Sequence, residues 1–320
     1  MYSWTGEMTM QAWIVRAFAA TPTSALSPDE MKHLYSAIAP RCAGPDGLIA
    51  DPRACRFDPT ELQCPSSSGD FCLSADQVSA LHKVYEGPKR STGERIYRGL
   101  SIGSESDWSR LWDVGTKGIE STGGSWLGFY RYMGLSDPTW TLQRLDFDRD
   151  PEAVRQRLTS YLEQDNPALE TFAARGGKLL VFHGWGDHMV PAESSIDYHA
   201  AVVHRQGNER TDEFFRLFMV PGMAHCGGGL GVQLRAAGER DLSLPRDASS
   251  DPMTALQEWV EHGRAPSKLI ATRPGEHGTV ERSRLVCAVP SEARFINSGD
   301  PADPANWRCE GLTPARSSAE

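Results

Sequence analysis

The segment KLLVFHG, residues 178–184, constrains the fold more than any other stretch of the chain. It is a short apolar run with Gly176-Gly177 before it and Gly184 at its end. An apolar run of that length between glycines has the pattern of a strand buried in a parallel sheet. A helical stretch follows, PAESSIDYHAAVVHRQG at 191–207, and then a second apolar run, FFRLFMVPG at 214–222. Strand, helix and strand in that order form a βαβ unit, so the fold class is α/β. PEAVRQRLTSYLEQ and PALETFAARGG, between 151 and 177, read as two helices before the unit, and DPMTALQEWVEHG at 251–263 as a helix after it. Two strands are too few for a free-standing α/β sheet, and the remaining strands are expected to come from elsewhere or to be absent.

Open α/β sheets carry their functional residues just past the carboxyl ends of the strands. Here those loops read HGWGDHMVP (183–191) and PGMAHCGGG (221–229). Asp187 leaves the first strand and His225 the second, which is the closing order of the Ser…Asp…His sequence of α/β hydrolases. In that chemistry the histidine takes the serine proton and returns it to the leaving group, while the aspartate fixes the tautomer and stabilises the imidazolium. The bland alternative makes Asp187 a helix cap and His225 a residue of a glycine-rich turn. A binuclear metal site built on His183, Asp187 and His188 lacks its usual second histidine, because Trp185 stands in that position. A literal G-x-S-x-G also occurs, GLSIG at 99–103, but a nucleophile elbow needs a buried strand before the serine. The preceding GERIYR is short and charged, so Ser101 is not expected to be a nucleophile.

The first half of the chain has a different grammar. Residues 1–20 suit one amphipathic helix, and Ser27 followed by Pro28 opens another. Residues 41–71 read as loop. Ser74 and Gln77 form a capping box ahead of QVSALHKVYEG, a helix that stops at Gly87. Residues 88–150 are irregular and aromatic, with six of the nine tryptophans at or before Trp140, a composition suited to a lid or binding surface. Cysteines stand at 42, 55, 64, 72, 226, 287 and 309. No pair has zinc-knuckle spacing. Three short- to medium-range pairs and one left over read as disulfides of an oxidising compartment, although MYSWTGEMTMQAW has no signal-peptide grammar. With 42 Asp+Glu against 33 Lys+Arg, a net charge of -9 and no basic stripe, the chain is a poor partner for nucleic acid. No apolar run approaches the ~18 residues of a membrane span.

GGKLLVFHGWGDHMVP, FMVPGMAHCGGG, LQEWVEHGRAPSKLIAT and RLVCAVPSEARF together resemble the tannase/feruloyl esterase family. CRFDPTELQC with FCLSADQVSALHKVYEGP resembles that family's inserted lid, and the similarity runs from about residue 10 to residue 309. The resemblance implies the C-terminal part of an α/β-hydrolase fold with a disulfide-containing lid. Residues 1–21 would be a residual helix of the hydrolase domain, 22–150 the lid and 151–320 the C-terminal part. It implies a secreted or periplasmic serine esterase acting on small phenolic or aromatic acid esters with no redox cofactor, Asp187 and His225 being the catalytic acid and base. It pairs Cys42–Cys55, Cys64–Cys72 and Cys287–Cys309, and leaves Cys226, whose family counterpart bridges to the elbow. The family's Gly-Cys-Ser-x-Gly-Gly elbow is absent from this sequence, so a catalytically inactive remnant or an aromatic-ester-binding protein is the competing expectation. The family's lid often binds calcium between its first two cysteines. Here AGPDGLIADPRA offers only Asp46 and Asp51, a thin set for an ion that takes six to eight oxygens.

Overall fold

The computed structural model describes residues 2–65, 71–110, 112–113, 118, 124–234, 246–275 and 279–311. Most of the loop expected between Cys64 and Cys72 (66–70), and parts of the 88–150 stretch, lie outside these residues. The chain divides into two compact, interleaved units: Met1–Cys42, Asp51–Pro167 and Gly186–Tyr198 in the first, Ala43–Ala50, Ala168–Trp185 and His199–Glu320 in the second. Among the described residues no helix is long and apolar enough to cross a membrane.

The first unit is helical. Strand β1 (Tyr2–Ser3) leads into helix α1 (Trp4–Phe18), whose start is fixed by the Ser3 hydroxyl accepting from Gly6 N. Helix α1 is buried almost all round rather than on one stripe, as expected of a helix at the centre of a core. Its polar residues are therefore paired: Thr5 N and Oγ1 both donate to Glu163 Oε1 at 3.1 and 2.6 Å, and Gln11 Nε2 donates to Glu7 Oε1. Helix α2 (Pro28–Cys42) opens on the expected Ser27–Pro28 signal and runs through Pro40, so it ends later than the sequence pattern suggests. Helix α3 (Ala75–Glu86) has the Ser74/Gln77 capping box and stops at Gly87. Helix α4 (Asp150–Leu162) yields its last two expected residues to strand β2 (Glu163–Gln164), which pairs with β1. Disulfides Cys42–Cys55 and Cys64–Cys72 lie in this unit, with Cα separations of 5.1 and 4.8 Å.

The second unit holds the three longer strand pairs. Strands β3 (Leu179–Gly184) and β4 (Phe215–Val220) pair in parallel, and helix α5 (Glu193–Gln206) lies between them in sequence. Strand β4 is buried along most of its length, but the apolar residues of β3 are only half-buried. Among the described residues β3 pairs with β4 alone. Helix α6 (Pro252–His262) starts on the Asp251 cap and ends at Gly263 in the left-handed region. PALETFAARGG forms a single short turn of helix, Glu170–Ala174. Two antiparallel pairs follow that the sequence pattern did not mark: β5 (Lys268–Pro274) with β6 (Val280–Cys287), and β7 (Glu292–Phe295) with β8 (Trp307–Glu310). Cys287 and Cys309 are joined, tying β6 to β8 at a Cα separation of 5.7 Å.

Phe218, Val220, Met223, Leu269 and Val286 form the core of this unit, joined by Leu48 from the 43–50 segment. Each such fully buried side chain contributes roughly 1.5–3 kcal/mol. The same segment carries Asp46, whose Oδ2 lies 2.5 Å from Arg284 Nη1 with both side chains nearly inaccessible. Arg284 also stacks over the Trp307 ring, and Arg282 donates to the Asp46 carbonyl. Burial pulls the Arg284 guanidinium down to about 10 while Asp46 acts in the opposite direction, so it stays charged at neutral pH. Removing one partner of a buried pair strands the other charge, at a cost of about 3–5 kcal/mol. Asp46→Ala is therefore expected to lose about that much in chemical denaturation, and Asp46→Ala/Arg284→Met to recover most of it. A loss under about 1 kcal/mol in the single variant would show that the pair does not hold the segment in place.

Candidate functional site

The parallel register aligns Gly184 with Val220, so the loops after β3 and β4 leave the sheet at the same end. Trp185 N donates to Val220 O at 2.9 Å and extends the ladder by one bond. Gly184 must be glycine: a Cβ there would stand 2.1 Å from Met223 O, in the backbone of the second loop. The second loop is a tight, glycine-built turn. Met223 bridges to Gly229, Ala224 N donates to Gly228 O, and Gly228 N donates to the Gln233 side chain. Gly229, at φ +87°, presses so closely on Gly222 O that a Cβ would approach it to 2.3 Å. His225 sits in this turn half-buried, and Cys226 follows it at φ +61°, exposed and outside the three disulfides.

Asp187 lies three residues past the end of β3 and is 4% exposed. Its Oδ1 accepts from Met189 N at 2.8 Å and Val190 N at 2.9 Å, closing a turn just before α5. The carboxylate thus caps a turn at 189–190 and not, as the bland reading has it, the first turn of α5. Carboxylate bonds of this kind also lock the side chain in one rotamer, which a catalytic acid requires. Trp112 Nε1 donates to the carbonyl of the next residue, His188, at 3.0 Å.

Of the other residues singled out in the sequence, Asp46 and Asp51 do not fit a calcium ion. Asp46 faces the buried Arg284 guanidinium, and Asp51 caps the turn at Pro52–Ala54 and takes Arg53 in a two-point pair. A cation at either carboxylate would have to displace an arginine. Among the described residues no three His, Cys, Asp or Glu side chains gather as a metal site would need, so the His183/Asp187/His188 arrangement has no geometric support either. Ser101 is buried and follows no strand; Leu100 N donates to Val84 O, and Gly99 lies flush against the end of α3. GLSIG is thus not a nucleophile elbow, which needs strand, sharp turn and helix.

The segment after GLSIG contains a buried carboxylate that sequence reading missed. Glu105 accepts from Tyr85 OH at 2.8 Å and from Gly103 N at 2.9 Å. Burial raises it from an ordinary 4.5 to about 7, against the opposing pull of the backbone N–H groups and Tyr85. Nothing in an exposed-looking string such as GSESDW signals that burial.

Two expected outcomes follow from this geometry. Gly184→Ala should cost about 1–3 kcal/mol or more, because backbone rather than a movable side chain occupies the space; an unchanged unfolding midpoint would contradict the close approach. Because the folded chain binds the Glu105 proton more tightly than the unfolded chain, this group's contribution to stability is full below about 4.5 and is lost as pH rises through about 7. Glu105→Gln should therefore gain on the parent as pH rises across that window. A stability difference independent of pH would refute the shift.

A family model described as tannase and feruloyl esterase matches residues 1–310. An uncharacterized esterase of Xanthomonas campestris pv. campestris is 30% identical over 340 residues, covering 93% of this chain and 59% of that protein. A probable feruloyl esterase B-2 of Aspergillus terreus is 32% identical over 295 residues, 89% of this chain and 54% of its own length. The crystal structure of feruloyl esterase B from Aspergillus oryzae superposes with a TM-score of 0.83 at 23% identity, over 95% of this chain and 61% of that one. The likeness extends to the fold, and the chain spans between half and two thirds of the length of each of these proteins.

Proposed function

Because the chain belongs to the tannase and feruloyl esterase family, we propose that it is the acid- and base-bearing part of a carboxylic ester hydrolase of the Ser-His-Asp type. The observation that carries this reading is the parallel β3–β4 pair, whose carboxyl-end loops bring Asp187 and then His225 in hydrolase order. In this reading residues 22–150 are a lid inserted between 1–21 and 151–320. The relatives named feruloyl esterases support esters of phenolic or aromatic acids as the substrate class. The three disulfides support an oxidising, extracytoplasmic location.

Asp187 holds the imidazole tautomer of His225 and stabilises its charged form. His225 takes the proton of a serine hydroxyl as that oxygen adds to the ester carbonyl, and gives it to the departing alcohol as the acyl–oxygen bond breaks. Water then adds to the acyl-enzyme, its proton passing through His225 back to the serine as the free acid leaves. The serine of this cycle is not Ser101 and belongs to an elbow that residues 1–320 do not contain. The second reading, an aromatic-ester-binding chain without turnover, is favoured by that same feature.

Two polypeptides separate the readings: residues 1–320, and the same residues together with any in-frame sequence that precedes Met1. Residues 1–320 are expected to show no turnover of methyl ferulate or methyl gallate and to take no fluorophosphonate label. An elbow-bearing polypeptide is expected to hydrolyse these esters and to lose about a million-fold in kcat on His225→Ala. Hydrolysis by residues 1–320 that disappears with Ser101→Ala would overturn the assignment, hydrolysis by an elbow-bearing polypeptide indifferent to His225→Ala would overturn the role of His225, and an elbow-bearing polypeptide that binds these esters without hydrolysing them would favour the binding reading.

A further inference from the structure

We propose that Arg98 and Trp112 are positioning residues that clamp both sides of the Asp187 loop, and that the GLSIG segment is the brace carrying them. The inference rests on the reading of Asp187 as the catalytic acid, and every residue in it lies in the first unit. On one side of the loop, Arg98 grips the first turns of α5. Its Nε and Nη2 bond the two oxygens of Asp197 at 2.6 and 2.7 Å, and its Nη1 bonds Glu193 at 2.8 Å. A planar guanidinium held by three such bonds fixes direction as well as distance, which a lysine would not do. On the other side, the fully buried Trp112 donates to the carbonyl of His188, the residue next to the acid.

Between these two grips three bonds link described residues of the segment to one another. Ser104 Oγ donates to Ser101 O at 2.7 Å, Trp108 Nε1 donates to Ser104 Oγ at 2.8 Å, and Trp112 N donates to Trp108 O at 2.7 Å. Glu105 fastens the same run to α3 through Tyr85 and to Gly103. The serine motif that chemistry leaves unused is thus the foot of a strut whose far end is the carbonyl beside Asp187. The Asp187 loop is held from the aromatic segment of the chain as well as by the strand it leaves.

The test uses Trp112→Phe, which keeps the ring and removes the donor, and Arg98→Lys, a more exposed change that keeps the charge and loses the fork. Amide exchange of Met189 and Val190 reports directly on the Asp187 turn. In either variant protection at these two amides should fall about tenfold, the effect of losing one ordinary hydrogen bond, while amides of α1 stay as they were. A fall shared by α1 would mean a merely structural role, and no change at Met189 and Val190 would refute the clamp. In an elbow-bearing polypeptide, Trp112→Phe should lower kcat up to about 100-fold with KM unchanged and add nothing to Asp187→Asn. Losses that multiply would overturn the proposal. If Asp187→Asn itself cost nothing, the functional reading would fail, and the exchange result would still decide the clamp.

Discussion

The candidate site depends on the close approach of Gly184 to the backbone of the loop after β4. Parallel pairing alone would bring β3 and β4 side by side, but a side chain at position 184 would collide with the Met223 backbone in the loop after β4. With glycine there, Trp185 continues the ladder and the glycine-built turn of 221–229 closes against the strand end. The turn in turn sets the backbone that carries His225. Residue types usually read as mere loop composition are here a steric requirement, met at Gly184 by an absent Cβ and at Gly229 by a left-handed φ as well.

The βαβ unit was legible because its signal is local: apolar runs bounded by glycines, with a helix between them. The starts of α2 and α3 were legible for the same reason, since Ser27–Pro28 and Ser74/Gln77 are short-range chemistry. What escaped was long-range. Strands β5 and β6 are mixed apolar and charged, and Arg284 in the middle of β6 argues against a buried strand until Asp46, far away in sequence, is placed opposite it. That same pairing explains why Asp46 is not a cation ligand. A carboxylate in a polar loop looks available for metal until the guanidinium that neutralises it is located. Glu105 is the reverse case, a charged residue in a polar string that the fold buries against Tyr85 and Gly103.

The two candidate loops are stabilised in different ways. The histidine turn is held by backbone bonds and glycine sterics within its own unit. The aspartate turn is held by its own carboxylate, by Trp112 on the adjoining carbonyl and by Arg98 on the following helix. A change in the aromatic segment between 98 and 112 would therefore reach the aspartate turn through directional bonds. Two tryptophans of the aromatic segment serve as structure, the use that core packing favours for most of them: Trp108 and Trp112 are fully buried, and both direct their N–H groups to internal partners.

The central claim is that Asp187 and His225 act as parts of one catalytic unit. Members of such a unit fail together, so their losses do not multiply. The most direct measurement is kcat for aryl-ester hydrolysis in an elbow-bearing polypeptide containing residues 1–320, with Asp187→Asn, His225→Ala and the double variant compared. The account predicts that the double variant is no slower than His225→Ala alone, within a few-fold. A double variant slower by the product of the two single losses would show two residues acting independently, and would contradict it.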